Sequence, residues 1–159
     1  MSVLPMPSLR VVHSHSSPTI YLIEDEEAVR MVMECALRAA GYNTQEADDP
    51  ETAIRQIAGS GDIDLVLADF GAVRASQFQA RLSGVAPDIP LLLCSGMCRE
   101  DILESEWFDP ATSFLQKPFH LTDLIRCVDE LLKGKRRARL ERPHHLRERR
   151  HMDGPRLST

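Results

Sequence analysis

Ile-Asp-Leu-Val-Leu-Ala-Asp-Phe, residues 63–70, is the stretch that decides the fold of this chain. The apolar run from Leu65 to Ala68 is typical of a strand that is buried on both faces, as in a parallel sheet. The run ends on one carboxylate, Asp69. Open α/β sheets build their sites at the C-terminal edge of the strands. Asp69 is therefore the first candidate functional residue.

Four further segments are predicted to be strands, because they are short and bounded by turn residues. In chain order they are Thr19–Ile23, Asn43–Ala47, Leu91–Cys94 and Ser113–Gln116. Each is followed by a segment of helical character. The order β-α, repeated five times, predicts an α/β fold: a doubly wound (βα)5 sheet of five parallel strands with helices on both faces.

The sequence marks the helices with unequal clarity. After the first strand, residues at helical spacing form one apolar face: Val29, Val32, Met33, Ala36, Leu37 and Ala40. Gly41 is expected to end this helix. A short helix is expected around Ser76–Leu82, with Phe78 and Leu82 as its anchors. The last helix is expected to end at Gly134.

Length and composition indicate one globular domain with two polar extensions. The chain has 159 residues, of which 43% are hydrophobic and 27% charged, as is ordinary for such a domain. Residues 1–18 contain no continuous apolar region, so we expect a flexible arm and no signal peptide. Residues 19–133 are expected to form the domain. Residues 134–159 are expected to be a basic, disordered tail, because nine Lys and Arg less three Asp and Glu leave a charge of +6.

The lack of a membrane-spanning run and the pattern of the cysteines predict a cytoplasmic protein. No apolar run approaches the roughly 20 residues that a membrane span needs. The four cysteines contain no CxxC pair and are expected to be free thiols in a reducing compartment. Only 26 residues follow Lys133, too few for a folded DNA-binding domain.

Polar residues follow the predicted strands at the edge where Asp69 lies. Glu24 and Asp25 follow the first strand, Ser95 the fourth and Lys117 the fifth. The strand order 2-1-3-4-5 is taken from a known class of doubly wound sheets, since this sequence alone does not determine it. In that order these side chains converge with Asp69 in one crevice.

Such a cluster needs positive charge. Two carboxylates about 4 Å apart repel by roughly 4 kcal/mol at an effective dielectric near 20. Lys117 supplies one positive charge, and Mg²⁺, which prefers oxygen ligands, would supply two more. A carboxylate beside a lysine, a hydroxyl and a metal ion is suited to attack phosphorus and form an aspartyl phosphate.

Four segments together carry a resemblance to a known family. They read Ile-Glu-Asp-Glu, Leu-Val-Leu-Ala-Asp-Phe, Cys-Ser-Gly and Phe-Leu-Gln-Lys-Pro-Phe, at residues 23–26, 65–70, 94–96 and 114–119. Over residues 19–133 the chain resembles the receiver domain of bacterial two-component response regulators. The resemblance implies the flavodoxin-like fold of a single-domain, chemotaxis-regulator-like protein.

The resemblance implies a metal site and a phosphorylation site. Asp69 would be the phosphoacceptor and a ligand of Mg²⁺. Asp25 would bind Mg²⁺ directly and Glu24 through water, and the backbone carbonyl of Gly71 would be a further ligand.

The resemblance also implies a switch. Ser95 and Lys117 would each bind a phosphoryl oxygen. Phe114 would move inward when Ser95 shifts. The bond between Lys117 and Pro118 would be a cis peptide, which an X-Pro bond adopts at low cost.

In function, the chain is expected to be a stand-alone response regulator and not an enzyme. A sensor histidine kinase or a histidine phosphotransfer protein would phosphorylate Asp69 in a Mg²⁺-dependent reaction. The signal would pass to a downstream protein through the face formed by helix 4, strand 5 and helix 5.

Two alternatives stay open at this point. Ala72-Val73 replaces the usual Met-Pro of the family, which would suit a degenerate receiver that binds partners independently of phosphate. A phosphohydrolase that uses Asp69 as nucleophile is the other. Such enzymes commonly have a second Asp two residues further on, where this chain has Gly71, and this argues against that class.

Overall fold

The computed structural model describes residues 17–69, 71–104 and 112–141, except the side chains of residues 72, 73, 99, 103 and 139–141. Nearly all of the expected N-terminal arm and the end of the expected tail lie outside these residues. So do the side chains of Ala72 and Val73, the pair that departs from the family pattern.

Five strands alternate with five helices. In chain order they are β1 Thr19–Glu24, α1 Glu27–Ala39, β2 Asn43–Ala47, α2 Pro50–Gly59, β3 Leu65–Asp69, α3 Ala72–Val85, β4 Leu91–Ser95, α4 Arg99–Leu103, β5 Ser113–Gln116 and α5 Leu121–Glu141. The strands form one sheet in the order β2-β1-β3-β4-β5, and every pairing is parallel. The predicted doubly wound fold and its strand order are confirmed.

The central strand β3 explains why its sequence is a continuous apolar run. All five of its residues are buried. Val66 and Ala68 belong to the core that α2 and α3 cover, whereas Leu65 and Leu67 belong to the core that α1 and α5 cover. Successive residues of a strand point to opposite faces. A strand between two helical layers therefore buries every side chain, and only its last residue reaches the sheet edge.

Helix α3 is longer than the sequence suggested. It has 14 residues and begins directly after Gly71, whereas the predicted helix covered only Ser76–Leu82. The buried face contains Ala75 in addition to Phe78 and Leu82. These three lie at i, i+3 and i+7, one face of a helix. The first turn was missed because alanine adds little hydrophobic signal.

Helix α5 continues through Gly134, so the prediction that Gly134 ends it is wrong. The helix runs on to Glu141. Glycine inside a helix costs roughly 1 kcal/mol, a cost that packing readily offsets. Here Leu132 is buried two residues before the glycine, and Lys135 Nζ donates to the backbone oxygens of Ile63 (3.3 Å) and Asp64 (2.9 Å). The first eight residues of the expected tail are therefore helical, and Lys135 contacts the sheet's N-terminal edge.

Among the described residues, no helix is both long and apolar enough to cross a membrane.

Candidate functional site

The register of the sheet brings the strand ends together at one edge. Glu24 is the partner of Asp69 across β1 and β3, and Asp69 is the partner of Cys94 across β3 and β4. Ser95 follows Cys94 and pairs with Gln116, the residue before Lys117. The side chains that the sequence predicted to converge therefore belong to adjacent strand ends.

One pocket at this edge contains all the predicted metal and phosphoryl ligands. Its lining residues are Glu24, Asp25, Glu26, Asp69, Gly71, Arg74, Ser95, Gly96 and Lys117. The pocket lies at the carboxyl ends of β1, β3 and β4, where a doubly wound sheet is expected to bind its ligands. The one predicted site residue that does not line it is Phe114.

Asp69 forms an ion pair with Lys117. Asp69 Oδ2 is 2.5 Å from Lys117 Nζ, and the aspartate side chain is 8% exposed. Partial burial by itself would lower the pKa of Lys117, but the hydrogen bond and the negative charge of Asp69 outweigh it and raise that pKa. Lys117 is therefore a fixed positive charge beside the candidate phosphoacceptor.

Glu24 is a buried carboxylate with incomplete hydrogen bonding. Its Oε1 accepts from the backbone N–H of Glu26 at 2.8 Å, but its Oε2 is buried without a hydrogen-bond partner. Burial raises the pKa of Glu24 to about 7, against the lowering effect of the Glu26 N–H, and the charge of Asp69 adds to the rise. Among the described residues, Glu24 Oε2 is thus a buried acceptor without a donor.

Asp25 has a partner that the sequence analysis missed. Arg74 Nη1, in the first turn of α3, lies 3.2 Å from Asp25 Oδ2. The prediction of a short α3 beginning at Ser76 had left Arg74 outside any helix. Because α3 begins at residue 72, Arg74 lies in its first turn, beside the pocket. This contact depends on the tertiary structure, so no local sequence signal identified it.

Gly71 is the N-cap of α3 and contributes its backbone. Its carbonyl oxygen accepts from the N–H of Ala75 at 3.0 Å, the first bond of the helix. A carbonyl oxygen has two lone pairs, so this bond leaves one acceptor site for a cation.

The predicted switch residues lie on neighbouring strands. Ser95 Oγ is half-buried and accepts from the N–H of Met97 at 3.2 Å. Phe114 is half-buried, pairs with Leu93 in register, and packs on the core covered by α2 and α3. The peptide bond from Lys117 to Pro118 is cis, as expected.

The donor atoms of the pocket fit a hard divalent cation. They are carboxylate oxygens and one backbone carbonyl, the ligand types that Mg²⁺ takes. The unpartnered Oε2 of Glu24 is a buried acceptor that a cation, or a water bound to it, would satisfy. Within the described residues, however, no three acidic, His or Cys side chains are already arranged around a common point as a metal cage.

A second concave surface adjoins the pocket. It is a groove lined by Ala28, Val29, Val32, Met33, Asp69, Lys117, Phe119 and Leu121. The sequence analysis placed Val32 on the apolar face of α1, and in the structure Val32 is 53% exposed. This part of the apolar face therefore points into the groove and not into the core.

The family model described as the response regulator receiver domain matches residues 20–129. The chain belongs to the response regulator receiver domain family. Receiver domains act in two-component signalling, and phosphorylation and magnesium are general features of the family. They are generally signalling modules and not enzymes.

Similar curated proteins contain such a receiver as one part of a longer chain. The receiver is 32% identical over 119 residues to the sensor kinase CckA of Brucella abortus, covering 73% of this chain and 13% of that protein. It is 35% identical over 118 residues to the DNA-binding transcriptional regulator NtrC of Rhizobium meliloti, covering 72% of this chain and 24% of that protein. The receiver thus spans about a quarter or less of either relative.

Solved receiver structures share the fold. The crystal structure of the receiver domain of CckA is 29% identical, with a TM-score of 0.59, and the match covers 72% of this chain and 98% of that one. The receiver domain of the sensor histidine kinase PA1611 from Pseudomonas aeruginosa is 20% identical, with a TM-score of 0.64, and covers 74% and 98%. That structure is described with a magnesium ion coordinated in its active site cleft.

Proposed function

We propose that this receiver is phosphorylated on Asp69 in a Mg²⁺-dependent transfer from the phosphohistidine of a sensor histidine kinase or a histidine phosphotransfer protein. The observation that carries the proposal is the ion pair of the buried Asp69 with Lys117, in a pocket open to an incoming phosphodonor. A buried carboxylate at a strand end is costly unless it has a function or a partner, and here it has a cationic partner.

The chain's own residues supply most of what the transfer needs. An oxygen of Asp69 attacks phosphorus and forms an O–P bond, while the N–P bond of the phosphohistidine breaks and its electron pair stays with the imidazole. Lys117 Nζ is positioned to neutralise charge on the phosphoryl oxygens. Ser95 Oγ, which lines the same pocket, donates a hydrogen bond to another phosphoryl oxygen.

We assign the metal ligands as the resemblance to receiver domains implies. Asp25 and Asp69 would bind Mg²⁺ directly, Glu24 through water, and Gly71 through its carbonyl oxygen. When bound, Mg²⁺ supplies positive charge that offsets the repulsion between the carboxylates and the phosphoryl group. The unpartnered oxygen of Glu24 and the magnesium ion of the PA1611 receiver support this assignment.

The apolar groove beside Asp69 is proposed as the docking surface of the phosphodonor protein. A donor histidine must come within bonding distance of Asp69, so the donor's surface must cover the residues next to it. The lining of the groove is mostly apolar and includes two exposed apolar residues, Val32 at 53% and Leu121 at 40% exposed. An exposed apolar patch beside a reactive group is typical of a protein-binding surface.

For output, we propose that the signal passes to a downstream protein through the face of α4, β5 and α5. Phosphorylation would shift Ser95, and Phe114, which is only half-buried, would follow. A stand-alone, cytoplasmic receiver is part of this proposal, and its four free cysteines suit a reducing compartment.

The test is intact mass after treatment with phosphoramidate, in Mg²⁺ and in excess chelator. We expect one phosphoryl group to be added in Mg²⁺ and almost none in chelator. Asp25→Asn should label far more slowly, whereas Asp62→Asn, at an exposed carboxylate outside the pocket, should label normally. Absence of labelling at high Mg²⁺ would favour the degenerate receiver instead.

A further inference from the structure

Arg74 lies inside the proposed phosphorylation pocket and contacts one of its carboxylates. Its Nη1 is 3.2 Å from Asp25 Oδ2, and both side chains are about half exposed, at 50% and 63%. It is one of two cationic side chains that line the pocket, the other being Lys117. Lys117 contacts Asp69, so each cation holds a different carboxylate.

The carboxylates that contact the two cations also occupy different positions in the pocket. Glu24 and Asp69 are partners in register on β1 and β3, at the buried edge of the sheet. Asp25, one residue beyond β1, is exposed and engaged with Arg74. Across residues 17–69, 71–104 and 112–141, no three acidic, His or Cys side chains are grouped to hold a metal ion. The ion pair with Arg74 thus engages the exposed carboxylate of the pocket, whereas Glu24 and Asp69 lie together at the buried strand ends.

We infer that Arg74 is a gate on the cation site: its guanidinium competes with the divalent cation for Asp25, so that metal binding requires the Arg74–Asp25 ion pair to open. The inference rests on the proposed function, because it takes Asp25 as a metal ligand. A guanidinium and Mg²⁺ both need carboxylate lone pairs, and Mg²⁺ in addition demands near-octahedral geometry. Arg74 therefore raises the Mg²⁺ concentration at which the receiver becomes ready for phosphorylation.

The size of the effect follows from the exposure of the pair. Ion pairs between solvent-exposed side chains contribute about 0.2–1 kcal/mol, which corresponds to a change in binding constant of about 1.4- to 5-fold. The attraction is also screened by salt, because both partners are exposed. Arg74 thus tunes the affinity for the cation moderately and does not block the site.

Isothermal titration of the full chain with MgCl₂ tests the inference. We expect Arg74→Ala to bind Mg²⁺ about 1.4- to 5-fold more tightly than the unaltered protein, and the difference to shrink at high NaCl. Arg81→Ala is the matched control. Arg81 lies on the same helix, forms an ion pair of similar exposure with Glu51, and does not line the pocket. It should leave the affinity unchanged. Thermal unfolding of both variants checks that they fold.

A second experiment monitors the Arg74 side chain directly by NMR. In the unaltered protein, the NMR signal of the Arg74 Nε–Hε group should shift in step with Mg²⁺ saturation, while the Arg81 signal stays fixed. Unchanged or weaker Mg²⁺ binding by Arg74→Ala, or a fixed Arg74 signal, would overturn the gate. If Mg²⁺ binding is lost in Asp25→Asn but is insensitive to Arg74→Ala, the metal site stands and only the gate fails. If Asp25→Asn binds Mg²⁺ as the unaltered protein does, Asp25 is not a metal ligand, and both the metal assignment and the gate are wrong.

Discussion

Lys117 lies where a positive charge would stabilise the negative charge that develops on the phosphoryl group. Its ammonium group is 2.5 Å from Asp69, and it is the cation closest to the atom that would receive the phosphoryl group. Removing one positioned donor from a site of developing charge typically slows a reaction about 10²- to 10³-fold. We therefore expect Lys117→Ala to slow labelling by phosphoramidate by about that factor at saturating Mg²⁺.

Single-turnover labelling rates by intact mass provide the measurement. Lys133→Ala, at an exposed lysine on α5, is the control and should label at the normal rate. Because the variant leaves Asp69 without its cation, its unfolding free energy is measured in parallel. A folded Lys117→Ala protein that labels at the normal rate would remove Lys117 from the proposed chemistry.

The residues of the site were predictable to different degrees. Asp69, Glu24 and Lys117 each directly follow or end an apolar strand, and parallel strands end at one edge, so their convergence follows from sequence and topology. The ion pair of Arg74 with Asp25 joins residues 49 positions apart and depends on the first turn of α3. The unpartnered oxygen of Glu24 depends on hydrogen-bond geometry. Neither leaves a local pattern in the sequence.

At the scale of elements, Tyr42 links the end of α1 to α5. Its hydroxyl donates to Asp129 Oδ1 on α5. Burial, with the hydrogen bond to Asp129 and the charge of that carboxylate, raises the pKa of Tyr42 from 10.0 to about 12. A pKa raised in the folded state means a stabilising contribution that is complete below pH 10 and is lost as the pH rises towards 12.

We expect Tyr42→Phe to lower the unfolding free energy by about 1 kcal/mol at pH 8, because one hydrogen bond to a charged group is removed. The difference in unfolding free energy between the unaltered protein and Tyr42→Phe should narrow above about pH 10. Urea unfolding of the two proteins at pH 8 and pH 11 measures this difference at each pH. Equal stability of the two proteins at pH 8 would show that the contact contributes nothing.

The extension of α5 past Gly134 changes the expected limit of the folded domain. Lys135 joins α5 to the backbone oxygens of Ile63 and Asp64, just before β3. A truncated protein that ends at Lys133 loses these bonds, whereas one that ends at Glu141 keeps them. We expect the shorter protein to be less stable by about 1 kcal/mol and the longer one to match the full chain.

Chemical denaturation of the two truncated proteins measures this difference, and point variants isolate the cause. Lys135→Met should reproduce most of the loss, and Lys133→Met, at an exposed position, should not. Equal stability of both truncated proteins would mean that residues 134–141 do not contribute to folding.

The sequence predicted elements well where burial was strong and poorly where it was not. Strand β3 and the first half of α5 carry continuous or periodic apolar residues, and both were placed correctly. Helix α3 begins with a turn of small and polar residues, and α5 continues through a glycine because of contacts with distant backbone atoms. Tertiary contacts of this kind override local propensity.

At the scale of the whole molecule, the groove beside Asp69 separates two routes of phosphorylation. A small phosphodonor needs only the pocket, but a phosphohistidine protein must also cover the groove. We expect Val32→Asp to slow transfer from a phosphorylated histidine protein at least tenfold, while labelling by phosphoramidate stays within about twofold.

Transfer rates from the two donors are measured on the same protein sample. Val85→Asp is the control, since Val85 is also exposed, at 44%, but lies at the opposite end of α3 from the pocket. Equal slowing with both donors would mean that Val32→Asp damages the pocket, and no slowing with either would place donor docking elsewhere.

The central claim is that Asp69 accepts the phosphoryl group. Its most direct test is the intact mass of the unaltered protein and of Asp69→Asn, treated side by side with phosphoramidate and Mg²⁺. We predict one phosphoryl group on the unaltered protein, removed by hydroxylamine as expected for an acyl phosphate, and none on Asp69→Asn. Labelling of Asp69→Asn at the normal rate, or a label on the unaltered protein that resists hydroxylamine, would contradict the account.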